Sequence, residues 1–277
     1  MTESQHNRIR TRPIWAFTKR RKNNAQFTNE LVLTGLFTAI IIIMAFTPLG
    51  YIPLVVINAT IIHIPVILGS LFCGPKKGAF LGFVFGFTSC LKATIVGGTL
   101  SSFVFSPVLA ASLVGTSGIF KSLFIAFVPR ILVGVIPYFV YIGIKKVLAS
   151  EKKNLWGTVL NVLMSVFLAF GVYAFLGKMS ESLSQAAALG IGIAVGAVVF
   201  IVVEAVFIRK STQVIPFVYA GVAGAMTNTL LVMGSIFVLY KDAYADAIGV
   251  AGNAVLGVIT GVISFNGVIE AIVAAII

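Results

Sequence analysis

Long apolar stretches almost free of charge constrain this chain more than any other feature. A bilayer core takes about 20 consecutive apolar residues as a helix, because only internal hydrogen bonds can satisfy the backbone there. Eight stretches approach that pattern: 31–50, 59–74, 78–93, 120–144, 157–177, 186–208, 216–240 and 255–277. Only 10% of the 277 residues are charged and 59% are hydrophobic, against about 25% charged in a soluble domain. So dry a surface faces lipid, not water. The expectation is an all-α integral membrane protein with eight transmembrane helices.

The basic residues test this map. Arg8, Arg10, Arg12, Lys19, Arg20, Arg21 and Lys22 precede the first stretch. Lys76 and Lys77, then Lys145, Lys146, Lys152 and Lys153, then Arg209 and Lys210 fall in alternate connections. The other side holds Lys92, Lys121, Lys178 and Lys241. Positive charge collects on the cytosolic side of a membrane protein. Both termini are therefore expected in the cytosol, at a plasma membrane. The formal charge of +12 thus reports orientation and contact with lipid rather than nucleic acid. Residues 1–30 read as a flexible basic arm, and the first stretch lacks a cleavage site, so it reads as a retained span.

Catalytic signatures are missing. There is no G-x-x-x-x-G-K-[ST] loop, no H-E-x-x-H and no G-x-S-x-G, so the reading is not an enzyme. No cofactor or metal spacing occurs. Cys73 and Cys90 stand apart within apolar runs and read as packing residues.

Polar side chains inside spans are costly and face the protein interior. Arg130, His63, Asn228, Asn266 and Glu270 are the ones that matter here, with Asn58 just ahead of the second stretch. Asn266 and Glu270 lie four apart, on one helix face. An arginine in a low-dielectric pocket suits a carboxylate, which it grips with two hydrogen bonds. Each has a plainer role available: Arg130 as partner of Glu270, His63 in helix packing, Asn228 as a hydrogen bond between helices. The outer connections 92–117 and 241–252 are apolar enough to cover a site. Glycines recur every fourth residue at Gly78, Gly82 and Gly86, and small pairs stand at Gly35–Ala39 and Gly192–Gly196. Close backbone approach at such positions drives helix association in lipid.

The stretch Asn58-Ala59-Thr60-Ile61-Ile62-His63-Ile64-Pro65, continuing to Gly74-Pro75-Lys76-Lys77-Gly78, resembles the substrate-binding S components of energy-coupling factor (ECF) vitamin transporters. Thr227-Asn228-Thr229 and Asn266-Gly267-Val268-Ile269-Glu270 look like the later helices of that group. Gly35-x-x-x-Ala39 resembles its first-helix docking motif. The resemblance implies a bacterial vitamin-binding subunit without an ATPase of its own. Its partners would be a transmembrane coupling protein and two ATPase subunits. The family has six helices. The extra pair then reads as a hairpin at 150–213 inserted into a core of 31–149 and 214–277. The pattern is most like the pantothenate type, which implies Arg130 for the carboxylate and Asn228, Asn58 and His63 for the polar groups, followed by Asn266 and Glu270. Another vitamin, or a self-sufficient secondary transporter, is the competing reading. The latter calls for inverted repeats, and the two halves show no such self-similarity.

Overall fold

The computed structural model describes residues 14–53, 58–97, 101–179, 184–210 and 214–276. Ten α-helices lie among them: α1 Ile14–Phe46, α2 His63–Cys73, α3 Pro75–Ile95, α4 Pro107–Val114, α5 Thr116–Val133, α6 Ile136–Leu148, α7 Lys153–Met179, α8 Gln185–Lys210, α9 Ile215–Ile248 and α10 Val255–Ile276. Six helical stretches are long and apolar enough to cross a membrane, with α5 and α6 together forming one of them. α2 and α10 supply shorter apolar helices. Large hydrophobic side chains stay exposed along the outside, among them Leu36 and Ile43 on α1, Phe170 on α7 and Ile201 on α8. On a soluble protein such a surface would aggregate; in a bilayer it is the solvated face.

Several boundaries differ from the sequence expectation. The basic arm was expected to be flexible through residue 30, yet α1 starts at Ile14. Its lysines, arginines and Gln26 are good helix formers and simply extend the apolar helix. Residues 1–13 lie outside the described residues. The second stretch yields only 11 helical residues, about 16 Å of rise, because Asn58–Thr60 is instead strand β2. It pairs antiparallel with β1, Tyr51–Pro53, in the register Tyr51↔Thr60. The stretch 120–144 is not one helix. It divides between α5 and α6 at Gly134, with Pro137 in the first turn of α6. The connection 241–252 is helical as far as Ile248, past a non-helical Tyr240 (φ −132°, ψ 19°). The tight turn from α2 to α3 is made by Gly74 at φ 87°, followed by Pro75 at the start of α3, a backbone conformation that other residues rarely adopt.

The glycine stripe on α3 sets the bundle. A methyl group added at Gly78 would sit 2.0 Å from the Gly134 carbonyl, at Gly82 2.2 Å from that of Arg130, and at Gly86 2.6 Å from that of Ala126. The backbones of α3 and α5 therefore touch along three turns. Ser70 adds a hydrogen bond from its hydroxyl to the Gly134 carbonyl at 2.5 Å. Lys92 reaches from α3 to the last turn of α1, donating to the Ala45 carbonyl at 3.0 Å.

The connection after α3 folds inward. Phe103 and Val104, in a short 3₁₀ turn, are buried with Ile125, Ile236 and Tyr240. Phe103 meets the Tyr240 ring edge-on at 5.4 Å. α7 packs on α10 and α6, while α8 packs chiefly on α7. Gly192 and Gly196 face the backbone of α7 at Ala169 and Ser165. Glu204 on α8 accepts hydrogen bonds from Thr158 at 2.8 Å and from the buried Asn161 at 2.5 Å. It is the polar tie within this helical pair.

Gly35 stands apart. It is exposed on α1, and a methyl group there would meet nothing within 4 Å. Gly82→Leu is expected to lower stability by about 1–3 kcal/mol or more, because backbone cannot make room. Gly35→Leu is expected to leave it unchanged. Thermal unfolding of the two variants in one detergent separates these outcomes.

Candidate functional site

Of the polar side chains picked out in the sequence, Glu270 and His63 both meet β2 at Thr60. Glu270, on α10, is buried. One carboxylate oxygen accepts the backbone N–H of Thr60 at 3.0 Å, and the other accepts the Thr229 hydroxyl at 2.7 Å. A single buried carboxylate thus ties β2, α9 and α10 together. Hydrogen bonds to a charged acceptor are the strong ones, and a buried carboxylate without them is costly.

Arg130 lies within Coulombic reach of Glu270 and is itself buried. Its guanidinium donates to the Ile125 carbonyl at 2.8 Å. It also sits over two aromatic rings, Phe105 at 4.7 Å and Phe85 at 5.5 Å to the ring centroids. Phe105 follows the 3₁₀ turn and Phe85 is on α3. A cation stacked on rings in a dry interior gains more than it would in water. Long helical side chains lean toward the helix N-terminus, so Arg130 reaches back along α5 toward Phe105.

His63 opens α2 and is fully buried beside the Thr60 backbone. Its ring nitrogens have no hydrogen-bond partner of good geometry among the described residues, and neither do the Oδ1 atoms of Asn228 and Asn266. Buried polar atoms normally find partners. These atoms lie on three elements, α2, α9 and α10. Asn58 pairs with Pro53 through the backbone, and its side chain lies outside the described residues.

Sequence reasoning missed several members. Thr229 is noticed only as the neighbour of Asn228, and Thr60 acts through its amide, which side-chain chemistry does not reveal. Phe85 and Phe105 read as ordinary apolar residues. Two apolar grooves lie elsewhere. One, of about 200 Å³, runs between α2 and α9 past Ile67, Phe72 and Phe217. The other, of about 300 Å³, runs along α9 past Phe124 and Val238. Neither is lined by any of the six predicted residues, and their walls do not offer what an anion needs.

Residues 29–209 match the family described as the ECF transporter, substrate-specific component. The chain belongs to this family. It is 43% identical over 151 residues to the pantothenic acid transporter PanT of Lactococcus lactis subsp. cremoris, covering 53% of this chain and 71% of that protein. It is 36% identical over 114 residues to the pantothenate transporter PanT of Leuconostoc mesenteroides subsp. mesenteroides, covering 39% of this chain and 48% of that one. The family and both relatives are transporters rather than enzymes.

The Glu270 tie makes a stability prediction. Thr229→Val removes one donor and is expected to cost about 1–2 kcal/mol. Glu270→Ala leaves both the Thr229 hydroxyl and the Thr60 amide unsatisfied and should cost roughly twice as much. Chemical unfolding in mixed micelles gives the order; equal losses would show that the two bonds do not share one acceptor.

Proposed function

We propose that this S component binds pantothenate and hands it to an ATP-driven ECF module. Arg130 grips the carboxylate, and Asn228, Asn58 and His63 bind the hydroxyl and amide groups. Asn266 contributes a further acceptor. Glu270 acts by holding Thr60 and Thr229 in place at the edge of the site. The observation that carries this reading is the set of buried polar atoms on His63, Asn228 and Asn266 without a hydrogen bond of good geometry among the described residues, in a bundle that also buries an arginine over two aromatic rings. A solute with an anionic end and several O–H and N–H donors satisfies that set. The names of both relatives point to the same solute.

The membrane topology rests on apolar length and the distribution of basic residues. The six long helical stretches and the shorter α2 and α10 make eight spans, with both ends on the cytosolic side of a bacterial plasma membrane. The skew of lysine and arginine supports this orientation. The site then lies toward the external side. Residues 150–213 form an inserted hairpin on a core of 31–149 and 214–277. In favour of that division, α8 rests chiefly on α7, whereas α9 and α10 meet α2, α5, α6 and β2. Gly35 and Ala39 form the docking face for the transmembrane coupling protein. Both are exposed on α1, and Gly35 has no atom within 4 Å of an added methyl.

Two measurements test this proposal. Purified chain in nanodiscs is expected to bind radiolabelled pantothenate, and Arg130→Ala to weaken binding by about a hundredfold, or about 2–3 kcal/mol. In proteoliposomes the chain alone is expected to take up none, and uptake to appear only when the coupling protein, the two ATPases and ATP are present. Uptake without them would establish a self-sufficient carrier instead.

A further inference from the structure

We propose that Pro129 is a positioning residue for the solute site: by withholding a backbone N–H, it leaves the Ile125 carbonyl for Arg130 to hold. The inference rests on the reading of Arg130 as the carboxylate-binding group. In an unbroken α-helix the N–H of residue 129 donates to the carbonyl of residue 125. Proline has no N–H, and its ring crowds that same carbonyl. Pro129 lies inside α5, so the Ile125 carbonyl loses its helical donor. Ile125 is fully buried, so water is a poor substitute. The donor that arrives is the guanidinium of the next residue, Arg130, at 2.8 Å.

This bond does two things together. It satisfies an acceptor that the proline has orphaned, and it fixes the direction of the guanidinium. An arginine has five N–H donors in a rigid fork. Tying one of them to backbone sets the plane of the others, and Phe105 and Phe85 hold that plane from two other elements. The backbone at this point is fixed as well, because Gly82 brings α3 against the Arg130 carbonyl. An arginine so held pays little rotamer entropy when an anion arrives. The proline thus acts by changing which group the carbonyl can accept from, without touching the solute.

Replacing Pro129 by alanine returns an N–H to position 129. That amide then competes with the guanidinium for the Ile125 carbonyl, and Arg130 regains freedom. A helix-interior proline is the least favourable residue for a helix, so P129A is expected to fold.

The test uses the full chain in nanodiscs and compares equilibrium affinities for two probes. One is pantothenate; the other is its neutral alcohol analogue, in which CH2OH replaces the carboxylate. The ratio of the two affinities reports grip on the carboxylate and is insensitive to a general loss of folded protein. P129A is expected to reduce the preference for the carboxylate by about tenfold while leaving affinity for the alcohol within about twofold. R130A is expected to abolish the preference, and P129A/R130A to match R130A. If R130A abolishes the preference and P129A retains it, the role given to Pro129 is wrong while that of Arg130 stands. If P129A lowers both affinities equally, its effect is general and the inference fails. A preference that survives R130A removes the assignment of Arg130 and this inference with it.

Discussion

Three glycines on α3 let its backbone lie directly against that of α5, and the rest of the structure is arranged around that contact. Lipid supplies no hydrophobic drive for two apolar helices to associate, so close packing and hydrogen bonds must do it. Gly78, Gly82 and Gly86 meet the carbonyls of Gly134, Arg130 and Ala126 in turn. The middle contact fixes the backbone of Arg130 itself. It also brings Phe85, one residue before Gly86, to within 5.5 Å of the guanidinium. The buried Arg130 is therefore located by a packing motif that carries no chemistry of its own.

A second constraint comes from burial of charge. Arg130 and Glu270 are opposite charges in a dry bundle, and each is expensive unless its hydrogen-bonding capacity is used. Glu270 receives the Thr60 amide and the Thr229 hydroxyl, so it stitches three elements together. Arg130 is held by its own helix at Ile125 and by two rings. The division leaves the carboxylate in a structural task and presents the guanidinium as the group suited to an anion. The apolar outside of the bundle meanwhile contains Gly35 and Ala39, small and exposed, where a partner helix can approach closely. The buried polar residues and the exposed small residues thus lie on the inside and the outside of the bundle.

Much of this was legible in the chain. Apolar length located the helices, and the four-residue glycine period announced the α3–α5 contact before its partner was known. The buried polar residues stood out because hydrocarbon tolerates so few. Other features were hidden for physical reasons. Hydropathy is blind to backbone breaks, so the division at Gly134 between α5 and α6 passed as one span even though Pro137 marks it. Polar residues such as Lys241, Asp242 and Asp246 read as a loop, yet α9 carries on through them to Ile248. Amide-to-carboxylate bonds leave no trace in side-chain identity, which is why Thr60 went unnoticed. The role of Glu204 leaves no mark in the sequence, because its partners Thr158 and Asn161 lie on another helix and meet it only when α7 and α8 pair.

The central claim is that Arg130, with the buried polar side chains of His63, Asn228 and Asn266, holds one small anionic solute. Native mass spectrometry of the chain, released from nanodiscs after expression in a bacterial host, tests it most directly. The account predicts one adduct per chain with the mass of pantothenate, absent from the Arg130→Ala variant. A chain that stays bare when supplied with pantothenate, or whose adduct carries no carboxylate, would contradict it.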